Sequence, residues 1–137
     1  MRYFIELSYD GTAYHGWQRQ DGAKSVQAAI EQGLYYKINH NEGVTGCGRT
    51  DTGVHARQFY AHFDYSGILN DDKLTELQNE LNSFLKHDIA IHKIFRTKAQ
   101  AHARFDATAR TYKYYISTSK NPFNRHYSWF YHAPLNL

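Results

Sequence analysis

The residues with the most chemical potential lie in GVTGCGRTDTGVHA, positions 43–56. Four glycines (Gly43, Gly46, Gly48 and Gly53) fall within eleven positions, and Arg49, Asp51 and His55 stand among them. Glycine admits positive φ and close backbone approach, so a loop of this kind can hold an exposed side chain in one fixed pose. A guanidinium and a carboxylate two residues apart then project from one short turn. An aspartate is ionised at neutral pH without help. To act as a nucleophile or proton acceptor it needs exposure, a fixed position and a nearby cation rather than an activating base. The same residues could equally form a tight turn closed by a surface ion pair of little energetic weight.

Other chemistries fit less well. Gly43, Gly48, Arg49 and Thr50 approach the phosphate-loop pattern G-x-x-x-x-G-K-[ST], but arginine replaces the lysine. The next residues, Thr52-Gly53-Val54, lead into an alternating strand and not into a helix, which argues against a nucleotide triphosphatase. Nine histidines raise the question of a metal, yet HExxH is absent. The pairs His55/His62 and His87/His92 lack one-face ligand spacing, so no metal is expected. Cys47, between two glycines and with no base in evidence, reads as a small buried thiol. The loop around Tyr14, Trp17, Arg19, Gln20 and Lys24 mixes aromatic and basic residues, which suits phosphate and sugar contacts with RNA. A surface loop pinned by Trp17 is the simpler alternative. Arg104 and Arg110 either line a cleft or brace Asp64 and Asp106.

These groups sit in a chain of 137 residues, 42% hydrophobic and 21% charged, which excludes a disordered or fibrous protein. The formal charge is +3, and aromatic residues reach 16% with tyrosine in the lead. Such a balance is compatible with a polyanionic partner and does not demand one. No apolar run exceeds three residues, so no membrane-spanning helix is expected. Glu6 and Asp10 interrupt the stretch a signal peptide needs, and a single cysteine excludes an internal disulfide. A cytoplasmic protein fits best.

The positioning elements can be read from periodicity. Tyr3, Ile5, Leu7 and Tyr9 alternate with Phe4, Glu6 and Ser8, which predicts a strand over 2–9. Ser25 can cap a helix over 26–38, with Val26, Ala29, Ile30, Leu34 and Ile38 on one face and Gly33 as a weak point. From Val54 to Tyr65 alternation returns, giving a strand with one polar face. Asn70 or Asp71 opens a second helix with a stripe of Leu74, Leu77, Leu81 and Leu85. Strands are expected at 89–96, at 107–118 with Arg110, Tyr112, Tyr114 and Ile116 on one face, and through 127–132. If the glycine cluster hides a further strand, the order is β-α-β-β-α-β. The fold class is then α+β: a ferredoxin-like (RRM-like) antiparallel sheet with two helices on one face, plus extra strands. The free face of such a sheet is the one RNA-recognition modules use for bases.

Three segments together, YDGTAYHGWQRQ (9–20), GRTDTGVHA (48–56) and HARFDATARTYKYYI (102–116), resemble the tRNA pseudouridine synthase A (TruA) family. They run in the right order over nearly the whole chain. The resemblance implies an isomerase that converts uridine to pseudouridine at positions 38, 39 and 40 of the tRNA anticodon stem-loop, with no cofactor and no metal. It places the family's catalytic aspartate on Asp51. The arginine implicated in opening the stack falls on Arg49, and the active-site tyrosine on Tyr112. Trp17, Arg19, Gln20, His55, Arg104 and Arg110 are further candidates for substrate or RNA contact. The family fold is two ferredoxin-like halves facing across a basic cleft, usually as a homodimer. Departures lie at Thr52, where the family often has alanine, at Gln58-Phe59, and at Leu85–Ile89, which lacks a usual proline. Family chains run to about twice this length. The expectation is that 1–137 is the N-terminal domain with the catalytic aspartate, lacking the C-terminal domain that brings the other cleft wall and a further arginine, and that alone it turns over little. The competing reading is a non-catalytic RNA-binding ferredoxin-like module, against which stands the absence of an RNP1 pattern over 54–65.

Overall fold

Alternation from Arg2 to Tyr9 becomes strand β1 (Arg2–Tyr9), with Tyr3, Ile5, Leu7 and Tyr9 buried and the residues between them only partly covered. The computed structural model describes residues 1–135, so the last two residues of the 1–137 span lie outside the described residues. The chain forms two compact units, Met1–Ala107 and Thr108–Leu137.

In the first unit β1 is followed by α1 (Val26–Ile38), β2 (Thr45–Gly46), β3 (Ala56–Asp64), α2 (Asp71–Phe84) and β4 (Ile89–Thr97). The sheet order is β2-β3-β1-β4 and every pairing is antiparallel. This is an α+β architecture of the ferredoxin-like kind, with the second strand inside the glycine cluster. Val26, Ile30 and Leu34 of α1 and Leu74, Leu77 and Leu81 of α2 share one core with the inward residues of β1, Phe59, Ala61 and Phe63 of β3, and Ile89, Ile91 and Ile94 of β4. β4 keeps its apolar residues inward by a bulge. Glu6 pairs with Lys93 and Leu7 with Ile91, so His92 is the extra residue that changes the phase between Ile91 and Ile94.

The helix ends agree with the sequence. The Ser25 hydroxyl accepts the Ala28 N–H at 3.1 Å, and the Asn70 side chain accepts the Lys73 N–H at 2.9 Å. Asn39, at φ 55°, closes α1 in the left-handed region. Gly33 is where the helices approach each other, because a Cβ there would stand 2.8 Å from the Leu81 Cδ2 atom. Between α2 and β4, Asn82 donates to the Ile91 carbonyl (2.9 Å) and accepts the Ile91 N–H (2.8 Å), which covers the backbone of an edge strand. The Tyr3 hydroxyl, fully buried, accepts the Leu69 N–H at 2.8 Å and so fixes the entry to α2. Tyr3→Phe is expected to destabilise the chain by about 1–3 kcal/mol, the cost of leaving that buried N–H without a partner. Urea unfolding measures it, and an unchanged midpoint would show that the bond contributes nothing.

β3 departs from the expected single polar face. His62 is only 4% exposed, because the segment after β4 folds back over it. The Ala103 N–H donates to His62 Nδ1 at 3.0 Å, and Arg2 donates to the Ala101 carbonyl at 2.7 Å while holding Asp64 through two bonds of 2.9 Å. Burial pushes the His62 imidazole down from 6.5 to about 4, and the Arg2 guanidinium adds to this. The fold therefore favours the neutral ring. Its contribution is complete above pH 6.5 and is lost as pH falls from there towards 4. The expected loss between pH 7 and pH 4 is about 2–3 kcal/mol, and His62→Gln should flatten that part of the curve. Unfolding free energies across this range that are the same for both proteins would refute it.

The second unit corrects two expected strands. Over 107–118 only β5 (Ile116–Ser117) is regular, and over 127–132 only β6 (Trp129–Phe130); the two pair in parallel. Alternation makes a segment able to form a strand, but the strand exists only where a neighbour takes up its N–H and C=O groups. Among the described residues these segments find each other for two residues each.

Candidate functional site

The glycine loop leaves the sheet at Cys47, whose N–H still donates to the Tyr60 carbonyl at 2.8 Å, and whose thiol is partly buried against the core. From there to Ala56 the loop rests against the 9–17 segment. The Trp17 N–H donates to Thr50 Oγ1 at 3.1 Å and to the Thr50 carbonyl at 3.4 Å. The Tyr9 hydroxyl is 2.8 Å from Thr50 Oγ1. The Gly53 N–H donates to the Tyr14 carbonyl at 3.2 Å, and the Gly11 N–H donates to His55 Nδ1 at 2.9 Å. The approach of the two backbones is close: a Cβ on Gly16 would lie 2.1 Å from the Thr50 carbonyl oxygen. Residues 51–54 form a turn closed by Val54 N–H to the Asp51 carbonyl at 3.1 Å, with Gly53 at φ +80° in the third position, where a type II turn requires it.

On this braced loop Arg49 and Asp51 are both exposed. They form no ion pair with each other, and among the described residues the Asp51 carboxylate takes part in no hydrogen bond or ion pair. The bonds that fix the loop use backbone, Thr50 and His55, which leaves the carboxylate to the solvent. His55 is half-buried. The Gly11 N–H donates to its Nδ1. The Asp10 carboxylate stands 3.1 Å from that nitrogen and accepts the Thr12 N–H (3.0 Å) and hydroxyl (2.6 Å) across a single 3₁₀ turn at Gly11–Ala13. The Tyr14 hydroxyl donates to Asp88 at 2.7 Å; burial and then that carboxylate push the phenol well above its ordinary range.

The remaining candidates are spread out. Trp17 is 2% exposed, its ring centre 4.5 Å from that of Phe59, and a Cβ on Gly46 would lie 2.4 Å from its Nε1. Its ring lies in the core beneath the loop. Arg19 is exposed, with Nη1 3.3 Å from Glu31 Oε1; its N–H donates to Gln27, which in turn donates to the Val44 carbonyl, both at 2.8 Å. Gln20 is exposed beside it. Arg104 is exposed on the segment that covers His62, and its N–H donates to His102 Nδ1 at 3.2 Å. Arg110 and Tyr112 belong to the second unit, both exposed, on the irregular stretch before β5. The first unit thus brings together Arg49, Asp51, His55 and, from below, Trp17. Sequence reasoning missed Tyr9, Asp10 and Thr50 as supports. Tyr9 is in phase with the core face of β1, and Thr50 stands between two more reactive neighbours.

Fold and site together define an α+β ferredoxin-like domain that presents a carboxylate and a guanidinium from a hydrogen-bonded glycine loop. No protein-family model matches the chain. It is 53% identical to tRNA pseudouridine synthase A of Bacteroides fragilis over 99% of this chain and 53% of that protein. It is 50% identical to the protein of the same name from Bacteroides thetaiotaomicron over 93% of this chain and 46% of that one, and 39% identical to that of a Nostoc species over 98% and 48%. The chain belongs to the tRNA pseudouridine synthase A family and spans about half the length of the curated relatives it matches.

Proposed function

We propose that the chain is the N-terminal, catalytic-loop domain of a tRNA pseudouridine synthase, an isomerase that acts on uridines 38, 39 and 40 of the anticodon stem-loop. The observation that carries this reading is the exposed Asp51 carboxylate, without a partner among the described residues, on a loop braced from below. In the isomerisation the C1′–N1 bond breaks, a C1′–C5 bond forms, C5 gives up its proton and N1 gains one. The base must first leave the stack, at a cost of a few kcal/mol, and stacking on an aromatic ring can return about 1–3 kcal/mol. Asp51 attacks C1′ or C6, or removes a sugar proton. Tyr112 supplies the stacking platform, and Arg49 occupies the gap the base leaves. Arg19, Gln20, Arg104 and Arg110 contact phosphates and sugars, while His55 and Trp17 hold the loop that meets the RNA.

In this reading the full-length protein works in the cytoplasm as a homodimer, without metal or cofactor, and its second half completes the cleft. No helix among the described residues is long and apolar enough to cross a membrane. The test is release of tritium from tRNA labelled at uridine C5. The full-length protein should release it, whereas the 137-residue chain alone should show little or no turnover. RNA binding that weakens steeply with salt, with no release by the full-length protein, would replace this reading by the non-catalytic RNA-binding module.

A further inference from the structure

We propose that Thr50 is the positioning residue of the site: its hydroxyl, held between Tyr9 and Trp17, fixes the backbone from which the Asp51 carboxylate projects. The inference rests on the catalytic reading of Asp51. Thr50 immediately precedes Asp51 and is held through both its hydroxyl and its carbonyl. Its Oγ1 accepts the Trp17 N–H at 3.1 Å and lies 2.8 Å from the Tyr9 hydroxyl, and its carbonyl accepts the Trp17 N–H at 3.4 Å. Both anchors are buried, and their rings meet Phe59 at centre distances of 5.6 Å (Tyr9) and 4.5 Å (Trp17). The Thr50 carbonyl also abuts Gly16, where no side chain fits. The peptide group joining Thr50 to Asp51 is thus clamped to the core, while the carboxylate one residue on is exposed. An exposed aspartate has no bonds of its own to set its position, so its placement is inherited from this clamp. A displacement of about 1 Å at a reacting group is enough to cost about 100-fold in rate.

The test compares Thr50→Val, which keeps the shape and removes the hydroxyl, with Thr50→Ser, which keeps the hydroxyl. In the full-length protein Thr50→Val should lower kcat by about 10–100-fold with KM within about twofold, and Thr50→Ser should recover kcat to within about threefold. Tyr9→Phe should cost less, because it removes one of the two contacts of the Thr50 hydroxyl and leaves the Trp17 N–H bond in place. In the 137-residue chain, amide hydrogen exchange over 50–54 should quicken in Thr50→Val and stay slow in Thr50→Ser. A wild-type kcat in Thr50→Val, or loop protection equal in both variants, would overturn the proposal. A full-length protein that releases no tritium would instead sink the catalytic reading. The exchange measurement would still decide whether Thr50 clamps the loop.

Discussion

Replacing Asp51 by alanine or by asparagine in the full-length protein is expected to abolish tritium release, a loss of at least about 1,000-fold. Asparagine keeps the shape but puts an amide NH2 where a carboxylate oxygen stood, so equal losses in both variants assign the effect to the carboxylate. The structure lets this be separated from unfolding. The side chain is exposed and takes part in no hydrogen bond or ion pair among the described residues. Removing it should therefore change stability by no more than about 0.5 kcal/mol, the usual range for a surface position. Thermal unfolding of the 137-residue variants checks that side, and tritium release by the full-length variants checks the other. Normal release by either variant would remove Asp51 from the mechanism.

Gly16→Ala is expected to destabilise the chain by about 3–5 kcal/mol. Two costs combine. Gly16 lies at φ +83°, where a side chain costs about 1 kcal/mol or more. Its Cβ would also stand 2.1 Å from the Thr50 carbonyl oxygen, a backbone atom that cannot rotate away. Relief requires the two loops to part, with loss of both Trp17 N–H bonds to Thr50. Gly22→Ala is the control, because it has φ +75° but nothing within 4 Å of the added Cβ, so it should cost only the first part. Urea unfolding of the two variants gives the difference. Equal destabilisation would show that the contact with Thr50 carries no weight.

The regular elements of the first unit were readable because each buries one face. The period of two in Tyr3, Ile5, Leu7 and Tyr9 and the leucine stripe of the second helix both state which side meets the core. The Ser25 and Asn70 caps are as legible, since a cap is a local bond between residues three apart. The glycine density around Arg49 and Asp51 marked the loop, but its supports were hidden. Tyr9 reads as one more core residue, and its bond to Thr50 spans a sequence separation of 41. Gly33, weak by helix propensity, is the contact point with Leu81. His62 reads as part of a polar face and is covered by a segment about 41 residues on. The stretch 107–118 has a strand's alternation and finds a partner for only two residues.

Local order, then, was written in residue type and spacing: where helices start, which faces are apolar, and that a carboxylate sits on a glycine bend. Such properties depend on interactions within a turn or two of chain, and the alphabet records them directly. Whether Asp51 is exposed, what holds the bend beneath it, and which histidine loses its water depended on how distant segments meet. Those outcomes come from packing and from hydrogen bonds between residues far apart in the chain, and no local pattern encodes which distant group will arrive.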